Sequence, residues 1–166
     1  LLDGGEVISS PRVRREIAHG RVDEAWRLLD RPFYVDGVVF EGERMGRRFG
    51  FPTINVEVEN ELLPAHGVYI TAVEIPSYSR VFHSATNIGV RPTVYENYKV
   101  TVESHLLDFT GDVYREPVRL FFLQRLRDEM AFPSSVELVA QIGRDVETTR
   151  LYFTQHGLPD ESLVRR

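Results

Sequence analysis

Between Phe33 and Leu123 the apolar residues fall in short runs dominated by Val, Ile, Phe, Tyr and Thr, each broken by glycine or proline. Runs of that length and composition read as strands, and they predict six, over 33–41, 53–58, 67–74, 81–88, 99–107 and 117–126. In the fifth the alternation is explicit. Val100, Val102, Ser104 and Leu106 share one face, and Thr101, Glu103, His105 and Leu107 share the other. No helical pattern separates the strands, so an antiparallel barrel or sandwich is expected rather than βαβ units, and closure would remove exposed edges.

The period changes on either side of this block. Leu138, Ile142, Val146, Thr149 and Phe153 form a helical stripe. Ser134 with Glu137 three residues on supplies a capping box, and the helix should end before Gly157-Leu-Pro159. At the N-terminus, Ser10 is the expected cap of a short helix with Pro11 at its first position and Gly20 as its stop. A second short helix is predicted over Val22 to Leu29, ended by Arg31-Pro32.

Composition narrows the class. The 166 residues are 42% hydrophobic, enough for one domain with a real core. Cysteine is absent, which excludes a disulfide framework and a Cys-ligated zinc. No apolar run has the length of a membrane span, and LLDGGEVISS lacks the pattern of a signal peptide, so a cytoplasmic protein is the expectation. The net charge of −5 opposes a nucleic-acid partner, whereas a few arginines in a cleft suffice for a small anion such as a nucleotide.

The richest stretch is GRRFGFPTINV, residues 46–56. Its glycines and proline shape a loop, Arg47 and Arg48 bring fixed charge, and Thr53 and Asn55 point oxygens to one side of an extended backbone. That is a reading as a phosphate and metal loop, although the stretch has no Walker A pattern; a plain turn with solvated arginines is the alternative. Glu103 is either a solvated outer residue or a carboxylate held in a site. His105 has no metal-spaced partner and is read as structural, as is Trp26. The Asn87–Thr93 segment reads as a turn after a strand. The segment Leu126–Phe132 reads as a solvated connection or as a lid with Phe132 available for stacking.

Taken together, GRRFGFPTIN, Pro64–Tyr69, Asn87–Thr93, Val102–Phe109 and Leu126–Phe132 resemble, in one order, the riboflavin kinase module of bacterial bifunctional riboflavin kinase/FMN adenylyltransferases. The resemblance implies a mainly β fold, a six-stranded antiparallel Greek-key barrel with a long C-terminal helix and short N-terminal helices. It implies phosphoryl transfer from ATP, with Mg²⁺, to riboflavin, giving FMN. By the same resemblance Glu103 is the catalytic carboxylate, and Thr53 and Asn55 bind Mg²⁺ and ATP phosphates. Gly42, Arg47, Leu106, Asp108 and Tyr114 fall at nucleotide positions, and Arg127, Met130 and Phe132 at flavin positions. A non-catalytic flavin- or nucleotide-binding module is the alternative. Two positions depart from the family pattern: Ile54 replaces the usual alanine, and Met130 stands where lysine is common. Ile8–Arg14 resembles the motif closing the adenylyltransferase half of such enzymes. The implied organisation is therefore residues 1–31 as the tail of an upstream adenylyltransferase module, 32–155 as the kinase barrel with its helix, and 156–166 as a C-terminal tail. Small-molecule substrates, with neither nucleic acid nor membrane, complete the expectation.

Overall fold

The computed structural model describes residues 2–3, 6–42, 45–91 and 98–159. Its elements run β1 (Leu2–Asp3), β2 (Glu6–Val7), α1 (Ser10–Ala18), α2 (Val22–Leu29), β3 (Phe33–Phe40), α3 (Met45–Arg48), β4 (Ile54–Val58), β5 (Gly67–Ile75), β6 (Arg80–Arg91), β7 (Lys99–Leu106), β8 (Pro117–Arg127) and α4 (Ser135–His156). Strands β3 to β8 close into a barrel in the order β3-β4-β7-β6-β5-β8, with every pairing antiparallel. Chain neighbours β5, β6 and β7 form a meander, while β7 returns to lie beside β4, the Greek-key return that leaves no edge strand in the barrel. All six strands predicted from the pattern are present within a few residues of their expected ends.

The barrel interior is filled by one side of the alternation. Val35, Val39, Val56, Tyr69, Val73, Ile88, Val102, Leu106, Leu120 and Phe122 pack there. Among them sits a chain of hydroxyls: Thr71 Oγ1 lies 2.7 Å from Ser84 Oγ and 2.6 Å from Thr86 Oγ1, and Thr86 donates to Ser104 at 2.8 Å. The four satisfy one another, as buried polar groups must. β5 is buried on both faces because the helices cover its outside, where Ile70 and Ala72 meet Phe121, Leu123 and Phe153 of α4.

The first helix departs from expectation by one residue. Ser9, not Ser10, is the cap: it is extended (φ −136°, ψ 155°) and its side chain accepts from the Arg12 amide. Pro11 thus falls one place further in, still in the first turn where its missing N–H costs nothing. Gly20, at φ 78°, ends the turn as expected. Val22 belongs to the barrel core, Ile17, Ala25 and Leu28 are buried, and Trp26 packs on the cluster under α4. α4 starts at the expected box, with the Ser134 hydroxyl accepting from the Glu137 amide and donating to its carboxylate at 3.1 Å. Among the described residues no helix is long and apolar enough to cross a membrane.

Candidate active site

The outer face of the barrel lines up polar side chains along one cross-strand row. Asn55 on β4 is paired with Phe40 on β3 and with Glu103 on β7, and Glu103 is paired with Asn87 on β6. Val68 on β5 pairs with Asn87 and, on its other side, with Arg127 of β8. Neighbouring strands stand about 4.8 Å apart, so residues from opposite ends of the chain become lateral neighbours. Pairing register alone produces this. A slip of one residue on β7 would turn Glu103 into the barrel and Ser104 out of it.

Two cavities open along the row. The first, about 610 Å³, is lined by Gly42, Arg47, Thr53, Asn55, Leu106 and Tyr114, together with Phe40, Phe109 and Asp112. Its rim is the loop from α3 to β4. One helical turn carries the exposed Arg47 and Arg48, and Gly50 follows at φ 82°, a conformation that a side chain would strain. Asn55 is buried, at 8% exposure, and its carboxamide makes no hydrogen bond among the described residues. Its oxygen and the Thr53 hydroxyl are hard donors on the wall of an anion-sized cavity with arginine at the edge. That donor set suits Mg²⁺, which keeps few protein ligands and shares the rest of its shell with phosphates and water.

The second cavity, about 390 Å³, lies between the barrel and α4. Thr53 lines it too, along with Glu103, Arg127, Met130 and Phe132. Glu103 is partly buried, at 20% side-chain exposure, and its carboxylate is engaged by the Arg91 guanidinium. Arg127 holds the Asp145 carboxylate through Nε at 3.0 Å and Nη2 at 2.8 Å, and its guanidinium lies 5.9 Å from the Phe132 ring centre. Gln141 donates to the same carboxylate at 2.9 Å, so the end of β8 is tied to α4. His105 donates from Nδ1 to the Pro52 carbonyl at 2.8 Å and sets its ring edge-on to Phe51, pinning the loop between the cavities. Leu138 and Ile142, expected in the packed stripe of α4, instead form the cavity wall and are only half-buried.

The structure thus brings together every candidate except Asp108. That residue sits at φ 54° just past β7, outside both linings, and its carboxylate accepts two hydrogen bonds from Arg150 of α4 at 2.6 and 2.7 Å. Those bonds hold it below the usual carboxylate range. Ile54 faces inward and packs against the core, away from the oxygens of its neighbours. Met130 is half exposed at the cavity mouth. Sequence reasoning did not single out Asn87, Glu129 or Asp145 as site residues. Asn87 could have been found from the strand alternation once its pairing with Glu103 was known, and Asp145 from its place as a charge inside the apolar stripe of α4.

The family model described as riboflavin kinase matches residues 29–153. The bifunctional riboflavin kinase/FMN adenylyltransferase of Pseudomonas fluorescens is 42% identical over 149 residues, 90% of this chain and 47% of that protein. A solved structure titled as a macrolide-efflux protein from Streptococcus pneumoniae superposes with TM-score 0.84 at 34% identity, over 90% of this chain and 49% of the other. Riboflavin kinase from Trypanosoma brucei superposes with TM-score 0.55 at 26% identity, over 77% of this chain and 81% of that one. The chain spans about half the length of the curated relatives it matches.

Proposed function

Because the chain belongs to the riboflavin kinase family, we propose that it transfers the γ-phosphoryl group of ATP to the terminal hydroxyl of riboflavin, giving FMN and ADP. The observation that carries this reading is the wall shared by the two cavities. Thr53 lines both, Asn55 faces the first, and Glu103, its cross-strand partner, faces the second. A nucleotide in the first cavity and a flavin in the second would meet at that wall.

The residues divide the work as phosphoryl transfer requires, which is mostly positioning and charge neutralisation. Glu103 accepts the proton of the flavin's terminal hydroxyl, whose oxygen forms a bond to the γ-phosphorus as the bond from that phosphorus to the β,γ-bridging oxygen breaks and ADP leaves. Arg91 holds the Glu103 carboxylate in place on the sheet. Arg47 offers positive charge to the phosphates at the rim, and Tyr114, Leu106 and Gly42 wall the rest of the nucleotide. The oxygens of Thr53 and Asn55 would hold Mg²⁺, which when bound neutralises phosphate charge. Phe132 and Met130 cover the flavin ring, with Arg127 fixed on Asp145 beside them. Asp108 belongs to the same reading as a nucleotide contact only if it leaves Arg150. A fused adenylyltransferase module, as named in the bifunctional relatives, is proposed for the parent protein, and a cytoplasmic location with it.

The test is chromatographic detection of FMN after incubation with riboflavin and MgATP, with Glu103→Gln alongside. Placed carboxylate bases contribute about 10²–10⁴-fold, so the variant should lose that much kcat while binding ADP as before. A wild-type chain that binds both substrates without turnover would leave only a binding module.

A further inference from the structure

Phosphorylation of riboflavin, the reading on which this inference rests, poses a selection problem. The flavin's tail is a linear polyol with several hydroxyls of similar chemistry, and only the terminal one must meet Glu103. A single base cannot choose among them. The others have to be held by groups that recognise hydroxyls and sit beyond Glu103 along the cavity.

Two such groups stand on the second cavity's wall, and neither has another task. Asn87 is the direct cross-strand neighbour of Glu103 on β6 and lines the cavity. Its side-chain amide has no hydrogen-bond partner among the described residues. Glu129, from the segment after β8, reaches back over the same strand: a Cβ placed on Gly89 would stand 3.1 Å from Asn87 Nδ2 and closer still to Glu129 Oε1. Glu129 also lines the cavity and also makes no ion pair or hydrogen bond among the described residues. The glycine is what makes room for the pair to share one patch of sheet. An amide offering both donor and acceptor beside a carboxylate that accepts from two oxygens is chemistry suited to vicinal hydroxyls.

We propose that Asn87 and Glu129, brought together over Gly89, form a polyol-binding subsite that holds the inner hydroxyls of the flavin's tail and so presents the terminal hydroxyl to Glu103. Ring recognition belongs to Phe132 and Met130, and tail recognition to this pair. The cavity is then selective for a flavin bearing a hydroxylated chain over the bare ring.

Titrations of riboflavin and of lumiflavin, which has the ring but no polyol, separate the two parts. Asn87→Ala and Glu129→Gln should each weaken riboflavin binding roughly 10-fold, the scale of one hydrogen bond involving a charged or fully buried partner, and leave lumiflavin binding within about 2-fold. Gly89→Ala, which displaces Glu129 without removing any polar group, should reproduce the loss for riboflavin alone. Equal losses for both ligands, or none for either, overturn the subsite. A wild-type chain that binds lumiflavin as tightly as riboflavin also overturns it, whether or not FMN is made. Failure of the kinase reading shows separately, as absence of FMN from a wild-type chain that binds riboflavin.

Discussion

Replacing Gly42 by alanine tests the nucleotide side of the site without removing any polar side chain assigned to it. A Cβ on Gly42 would stand 2.7 Å from Asn55 Oδ1 and nearer still to Asn55 Nδ2. Asn55 is held in β4 between Phe40 and Glu103 on the neighbouring strands, so the cheapest relief is rotation of its side chain. An off-rotamer torsion costs about 0.5–1.5 kcal/mol. For a chain of this size that lowers Tm by roughly 2–5 °C. On the proposed function the functional loss is larger, because Asn55 Oδ1 leaves the place where it would face the phosphates and Mg²⁺. Removing one charge-assisted contact costs about 1.5–3 kcal/mol, so Mg²⁺-dependent ADP affinity should fall roughly 10- to 100-fold. Calorimetric titration of ADP with and without Mg²⁺ reads this, and riboflavin affinity serves as the control, since neither Gly42 nor Asn55 lines the second cavity. A double-mutant cycle decides the cause. Gly42→Ala acts through Asn55, so Gly42→Ala with Asn55→Ala should be no worse than Asn55→Ala alone. Additive losses would refute the reasoning and give Gly42 a role of its own.

Other consequences are as direct. His83 stacks on Phe153 of α4, with ring centres 3.9 Å apart, and burial there, with Arg80 adding to it, lowers its pKa from 6.5. The unfolded chain therefore takes up the proton first as pH falls, so this contribution to stability is complete above about pH 6.5 and is lost below it. Tm measured from pH 7.5 down to about 5.5 should drop less steeply in His83→Gln than in the wild type, and parallel curves would argue that the imidazole is not the titrating group. Deleting residues 1–30 removes the buried Val22, Ala25 and Leu28, of which Val22 belongs to the barrel's core cluster. At about 1.5–3 kcal/mol for each large buried side chain, the truncated barrel should lose its cooperative melt near the wild-type temperature, and an unchanged calorimetric transition would mean the helices are only appended. Given FMN and excess MgATP, the 166-residue chain should yield no FAD, because the motifs assigned here build one phosphoryl-transfer site, and FAD formed by a preparation free of contaminants would show a second one.

The strands, the helix caps and the candidate side chains were legible along the chain because each rests on local physics. Alternation of Val, Ile and Phe with polar residues specifies a half-buried strand wherever it ends up, and Ser134 with Glu137 starts a helix whatever it packs on. The Thr53 and Asn55 pair belongs to the same class, since an extended backbone puts both oxygens on one side. Ser9 escaped because Ser9 and Ser10 cap equally well on paper, and only the surrounding backbone settles which is extended.

What no local pattern contained is lateral position. Glu103 reads the same whether it faces solvent or a cavity; the register that sets it between Asn55 and Asn87, and the segment after β8 that closes over it with α4, are properties of the closed sheet. Asp108 shows another such feature: the fold pairs its carboxylate with Arg150 of α4, a neighbour that no local pattern supplies. That Val22, in the helices before residue 31, belongs to the barrel's core cluster is likewise something only the fold shows. The sequence by itself therefore determined which segments become strands and helices and which side chains are candidates for phosphate chemistry, because those follow from backbone preference and side-chain type. Only the tertiary structure decided which of them meet, because neighbours across a barrel are set by strand order and register, and these are fixed by packing the whole interior at once.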